Sequence, residues 1–198
     1  MNDRGGTLSY SSQLTANRRP NKNIKTFCEG DKMNTVCEMI KRQVIPNFIN
    51  LETAIKTYDR DALVCGVPSW RYAYHTIHSA DKWFFNPYKY SEPPFHENGM
   101  DNPDNPCSIE LTDAELLDYL YKVRQKTLDY LDNICDELLN DRPANCQYTR
   151  LELIIMQFRH ISIHTGMLNG LTIEKTGKFP VFVGAEGLAK LAKGLFEE

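Results

Sequence analysis

The chain has 198 residues, 41% of them hydrophobic, and a formal net charge of −3. This length suits one domain of roughly 150–170 residues with a tail, which is large enough to bury a core without disulfides. The small net charge gives no electrostatic basis for binding nucleic acid or an anionic membrane, and no apolar run reaches the length of a membrane span. We expect a globular protein with a small-molecule substrate and with neither a nucleic-acid nor a membrane partner. The sequence leaves homodimerisation open.

The cysteines are scattered and contain no CxxC pair, so no zinc-ribbon or thioredoxin-like signature is present. They are Cys28, Cys37, Cys65, Cys107, Cys135 and Cys146. The first residues also lack the apolar segment of a secretion signal. We therefore expect a cytoplasmic protein whose thiols are free.

Residues 1–30 are rich in Ser, Asn, Thr, Gly and Arg and poor in apolar residues. Such a segment cannot bury enough apolar surface to offset the entropy of ordering. We expect a disordered leader over 1–30 and a single helical domain over 31–198.

Apolar residues at helical spacing predict a first helix over about 32–58, which Pro46 should kink or split. A second helix should begin at Pro68 and Ser69 and run to about residue 85. The segment 86–111 contains five prolines. A loop of this length in a compact domain is usually functional or mobile.

Two capping boxes predict the starts of the later helices. Thr112 to Glu115 opens a third helix that should end near 140–143, and Thr149 to Glu152 opens a fourth that should end near Gly170. A short terminal helix over 185–196 should follow. Four long helices predict an all-α antiparallel four-helix bundle, with a long loop between helices two and three and a short C-terminal helix.

His160 and His164 lie four residues apart on the fourth predicted helix, and His75 and His78 lie three apart on the second. Histidines at such spacings share one helix face, so their rings can converge on a divalent metal. We expect the fourth helix to turn a stripe into the core, formed by Met156, His160, Ile163, His164 and Met167. No Glu follows His160, which excludes the HExxH site of zinc proteases. The alternative is that these are core histidines held by hydrogen bonds.

Two segments together resemble the DinB-like family of metal-binding four-helix bundles. The first is 74–77, reading Tyr-His-Thr-Ile, followed by Asp81 and by Trp-Phe at 83–84. The second runs from Arg-His at 159–160 to His164 and continues with Gly, Leu and Asn within 166–169. The order of these segments along the chain also matches. The resemblance covers roughly residues 32–170.

The resemblance implies that His75, His160 and His164 bind a divalent metal, commonly nickel or zinc. It further implies a metal- and thiol-dependent transferase, because some relatives transfer low-molecular-weight thiols such as bacillithiol or mycothiol to electrophiles in detoxification or stress response. This chain departs from the Arg-Gly-Gln that often follows the last histidine, since it reads Thr165-Gly166-Met167. Alternatives are a non-catalytic protein with a structural metal site, a metal-assisted hydrolase, and a bundle without metal.

Other residues near these motifs have less certain roles, and the sequence identifies no catalytic residue. His78 is either an auxiliary ligand or, as we favour, a neighbouring or surface histidine. His96 is either a lid residue or, as we favour, an exposed loop histidine. Asp81 is either a charge at the bundle end or a group that orients a ligand. The aromatic residues of helix two should mostly fill the core, although one phenol near a metal could donate a proton; they are Trp70, Tyr72, Tyr74 and Trp83.

Overall fold

A computed structural model describes residues 35–184 and 187–197, so the predicted leader over 1–30 lies outside the described residues. The described chain is mostly helical, which confirms the predicted all-α class. Its α-helices are α1 (Thr35–Thr57), α2 (Ser69–Trp83), α3 (Asp113–Asn133) and α4 (Arg150–Thr176). Short 3₁₀ helices occupy Pro87–Lys89, Asp136–Asn140 and Gly187–Lys193.

The core lies between these helices, because α1 and α2 each pack against both α3 and α4. All four helices contribute side chains that are wholly buried. The largest of them include Phe48, Leu51, Ile55, Tyr74, Ile77, Leu116, Leu120, Leu153, Ile161 and Leu168. Their spacing is three or four residues on α1, α2 and α3 and seven or eight residues, about two turns, on α4, so each helix turns one apolar face to the core. None of the helices in the described part of the chain is long and apolar enough to cross a bilayer.

Both predicted capping boxes are confirmed. The hydroxyl of Thr112 accepts from the backbone N–H of Glu115, while the Glu115 carboxylate accepts from the backbone N–H of Thr112. Thr149 and Glu152 form the same reciprocal pair. Each pair satisfies backbone donors that the first helical turn leaves free. These caps set the starts of α3 and α4.

Several helix boundaries differ from the prediction. α1 continues across Pro46 as one helix, so the predicted split is wrong. α3 ends at Asn133, because Ile134 turns to an extended conformation before the next 3₁₀ turn. α4 continues through Gly170 to Thr176 and ends at Gly177, whose φ of 67° suits a helix C-terminus. Apolar spacing continues past the true end of α3, whereas for α4 the predicted end is a glycine that lies inside the helix.

Two further elements were not predicted or were predicted differently. Strands β1 (Leu63–Val64) and β2 (Val67–Pro68) form a small antiparallel hairpin between α1 and α2. Its turn residues Cys65 and Gly66 have φ of 51° and 86°, which matches the two positive φ angles of a type I′ turn. The predicted C-terminal helix is a 3₁₀ helix instead, and Phe196 lies beyond it in a bridge with Pro180.

Among the described residues the expectation of free thiols holds for four cysteines and fails for one, while Cys28 lies outside the described residues. Cys37, Cys65, Cys107 and Cys146 are free. Cys135, by contrast, is disulfide-bonded. Spacing along a sequence cannot reveal pairing between cysteines that only the fold brings together.

The predicted core stripe of α4 is partly wrong. Ile163 is 61% exposed, whereas Ile161 is wholly buried and Thr165 is 6% exposed. His160 and His164 are half-buried. The histidines therefore lie at the edge of the core, one residue before each buried position, and remain partly exposed to solvent.

This orientation of α4 predicts that two substitutions at nearby positions lower the free energy of unfolding by different amounts. Ile161→Ala should lower the free energy of unfolding by about 2–5 kcal/mol, because it leaves a cavity in the core. Ile163→Ala should change it by no more than about 0.5 kcal/mol, because exposed positions away from special features tolerate truncation. Urea unfolding followed by circular dichroism measures both. Similar losses from the two variants would contradict this orientation of the helix.

Candidate metal centre

α2 and α4 bring together the three histidines that the sequence singled out. His75 comes from the middle of α2, and His160 and His164 come from successive turns of α4. The Nε2 atom of His160 lies 3.1 Å from Nε2 of His75 and 3.1 Å from Nε2 of His164. Ligand atoms of all three lie within 4.8 Å of one another. The predicted set thus converges on one point between the two helices.

A backbone carbonyl sets the orientation of His75. Its Nδ1 lies 2.6 Å from the carbonyl oxygen of Asp101. A carbonyl can only accept, so Nδ1 must carry the hydrogen, and in the neutral ring Nε2 then carries a lone pair. That lone pair faces the other two histidines. The contact is the one that metal-binding histidines commonly make through their second nitrogen.

Hydrogen bonds among the three rings cannot account for both short contacts between their nitrogens. His160 Nε2 has a neighbouring nitrogen on each side, and a neutral imidazole carries only one N–H. If that nitrogen donates its hydrogen to the lone pair of His75, it has no lone pair left to accept a hydrogen bond from His164, whose Nε2 lies at the same distance. One cation shared by three lone pairs removes the conflict.

The spacing also suits a small divalent ion. Zinc lies about 2.0–2.1 Å from histidine nitrogen, so tetrahedral geometry separates two ligand nitrogens by about 3.3 Å and octahedral geometry by about 2.9 Å. The observed separations of 3.1 Å fall between these values. The group contains three ligands from the described residues. Three imidazoles with no fourth ligand in the described part of the chain form the type of set that leaves a position open.

Burial keeps the α4 histidines neutral. It is the main cause that lowers the pKa of His160 to about 4, and the neighbouring rings of His164 and His75 add to it. Burial, followed by the ring of His75, lowers the pKa of His164 to about 4 as well. The Nδ1 atoms of both rings are buried and have no hydrogen-bond partner among the described residues. Both rings therefore offer lone pairs, the form that metal ligation requires.

The long loop between α2 and α3 supports the site, which the sequence did not reveal. Arg71 is buried one turn before His75, and its guanidinium donates to the carbonyls of Met100, Asn102 and Asn105. These bonds hold the loop against α2 on both sides of Asp101. Arg71 therefore positions the carbonyl that orients His75. The sequence shows an arginine one turn before His75 but reveals neither its burial nor its acceptors.

Asp81 does not orient a histidine. Its carboxylate accepts from the phenols of Tyr90 and Tyr119 at 3.0 and 2.9 Å and from Lys126 at 2.6 Å. These three donors satisfy a carboxylate that is 9% exposed. Asp81 is thus a buried charge that ties α2 to α3, and the suggestion that it orients a ligand is wrong.

The prediction that His96 is an exposed loop histidine is wrong, and of the two favoured possibilities for His78, a neighbouring or a surface histidine, the surface position is wrong. His78 is 2% exposed, and the side chain of His96 is 7% exposed, so neither lies on the surface. The two rings stack on each other with centroids 4.8 Å apart. They form a second group with Glu92, separate from the first set of ligands. The 86–111 loop folds back onto α2 and buries them. The spacing of residues along the sequence does not predict this path of the loop.

Of the predicted aromatic residues, Trp70 and Tyr74 are buried in the core as expected. Tyr72 is half-buried, with its ring centroid 6.1 Å from that of His164. Burial raises the pKa of the Tyr72 phenol. The phenol therefore stays protonated at neutral pH, beside the histidine site.

Comparison with known proteins yields no match: no family model, no curated protein and no solved structure is significantly similar to this chain.

The lowered pKa values predict the pH dependence of the metal-free protein. The ordinary histidine value is near 6.5, so between about pH 6.5 and 4 the unfolded chain binds protons that folded His160 and His164 do not. The free energy of unfolding should therefore fall as pH drops through this window. Urea unfolding in the presence of a chelator measures it. The double variant His160→Asn and His164→Asn should flatten the dependence, and an unchanged slope would contradict these pKa values.

Proposed function

We propose that this protein is a divalent-metal-binding four-helix bundle of the DinB-like kind, and that it acts as a metal- and thiol-dependent transferase. The convergence of three Nε2 atoms carries the metal-binding part of this proposal. The residues in question are those on which the resemblance rests, His75, His160 and His164. The reaction class rests on the resemblance together with a ligand set that leaves a coordination position open.

The packing of the helices supports the bundle. Two pairs of helices face each other around one core, since α1 and α2 each contact α3 and α4. The site lies between α2 and α4, as expected for a bundle whose ligands project inward from facing helices. The long loop contacts α2 along most of its length, from Arg71 to Asp81.

A divalent cation held by three neutral imidazoles keeps its full charge and favours the thiolate form of a bound thiol. The residues of the chain hold and orient this centre. His75 is fixed by the Asp101 carbonyl, and Arg71 fixes the loop that carries this carbonyl. Tyr72 holds its proton beside His164 and is the candidate donor to a leaving group.

Replacing ligands should abolish metal binding at this site. His160→Asn or His164→Asn should weaken affinity by more than the roughly 10–100-fold typical of losing an outer-shell partner. Ser162→Ala, between them on the same helix, is the matched control, because its hydroxyl contacts Asn47 and the Phe158 carbonyl instead of the histidines. Competition of Zn²⁺ or Ni²⁺ against a chromophoric chelator measures the affinity. Equal affinity in the ligand variants and in the control would exclude this site.

A second measurement separates an enzyme from a protein with a structural metal. A structural site is closed by four protein ligands, whereas a catalytic one keeps an exchangeable position. In a chain that carries Glu92→Gln, which disables the second group of possible ligands, one equivalent of Co²⁺ should give a visible spectrum that azide or a small thiol changes. Adding His160→Asn to this chain should abolish the change. A tetrahedral spectrum that no added ligand alters would favour the structural role over the transferase.

A further inference from the structure

His78, Glu92 and His96 form a second convergent group. His78 comes from α2, while Glu92 and His96 come from the loop that follows it. Both imidazoles direct Nε2 at the same carboxylate oxygen: Oε2 of Glu92 lies 2.5 Å from His78 and 3.7 Å from His96. One ligand atom from each residue lies within 4.8 Å of the others.

Hydrogen bonds within the group do not satisfy both imidazoles. The two rings are neighbours, with centroids 4.8 Å apart, and Nε2 of each lies near Oε2 of Glu92. The Glu92 carboxylate accepts from His78, but 3.7 Å is too long for a hydrogen bond from His96. One ring of the pair is thus aimed at the carboxylate without bonding to it.

The surroundings hold the group in place. The phenol of Tyr74, itself wholly buried, lies 2.5 Å from Nδ1 of His96, which leaves the Nε2 side of that ring directed at Glu92. Lys82 contacts the other carboxylate oxygen, Oε1, at 3.5 Å. Burial lowers the pKa of His78 although Glu92 opposes the shift, so its imidazole is available in the neutral form.

Access to solvent comes through the carboxylate. The Glu92 side chain is 41% exposed, whereas those of His78 and His96 are 2% and 7% exposed. The group is therefore lined by two buried imidazoles and opens at its acidic member. A cation can enter from the Glu92 side and lose its water to ligands that are already fixed.

We propose that His78, Glu92 and His96 form a second binding site for a divalent transition-metal ion, distinct from the three-histidine centre. Two imidazoles and one carboxylate form a set that such ions use with positions left open. In the metal-free chain the hydrogen on His78 Nε2 occupies the space between nitrogen and carboxylate. The cation takes its place, and the hydrogen of the ring moves to Nδ1. The long loop then supplies two ligands here and the orienting carbonyl at the other centre.

Titration of the full chain with Co²⁺ tests this site, with equilibrium dialysis and elemental analysis giving the number of bound ions. Glu92→Gln keeps the shape of the side chain and removes its charge. Asp118→Asn is the matched control, because it neutralises an exposed carboxylate whose ion-pair partner is Lys122 on the same helix. The wild-type chain and the control should bind one more Co²⁺ per chain than Glu92→Gln. His96→Gln should show the same loss, so the result does not depend on one variant, and far-UV circular dichroism checks that each variant is folded.

The double variant His160→Asn and His164→Asn separates this proposal from the proposed function. It should retain the Co²⁺ that Glu92→Gln loses. If the wild type binds one ion that Glu92→Gln loses and the double variant keeps, the second site stands and the first does not. If folded Glu92→Gln and His96→Gln bind as many ions as the wild type, the second site is excluded whatever the first one does.

Discussion

The packing of α2 against α4 is the contact on which the candidate site depends. It places His75 opposite His160 and His164, with nitrogen separations of 3.1 Å. The two helices are separated by 66 residues of sequence, from the end of one at Trp83 to the start of the other at Arg150. The shared apolar core, including Ile77 and Ile161, sets the register that brings their rings together, and a hydrogen bond from Ser79 to Gln157 also joins the two helices.

The second constraint is the return of the 86–111 loop to α2. Arg71 binds three carbonyls of this loop, and His75 binds a fourth. Glu97 fastens the loop to itself by accepting from Ser108 and Ile109. Such polar bonds can order a segment without regular secondary structure, because they satisfy backbone groups that no helix or strand pairs. The loop thus becomes part of the site.

Burial in the core determines which side chains near the site are neutral and which need partners for their charge. The edge of a core removes enough water to keep His160 and His164 neutral, yet leaves them half-buried and within reach of a ligand. Asp81, in contrast, is a carboxylate that is buried together with its partners. Three donors from other segments surround it. Burial thus keeps two imidazoles of α4 neutral, while α2 carries a compensated charge toward α3.

Part of this structure could be predicted from the sequence, because it depends on interactions between residues that are close along the chain. Apolar spacing at 3.6 residues per turn and the Thr–Glu capping boxes predicted four helices and the starts of α3 and α4, because these signals act within one or two turns. The pairing of His160 with His164 followed from the same periodicity. The selection of His75 over His78 needed the family resemblance, because both share one face of α2.

Tertiary structure alone decided the burial of His78 and His96, the partners of Asp81, the carbonyl behind His75 and the disulfide at Cys135. Each of these depends on contacts between residues distant along the chain, and such contacts form only when the loop and helices close around a common core.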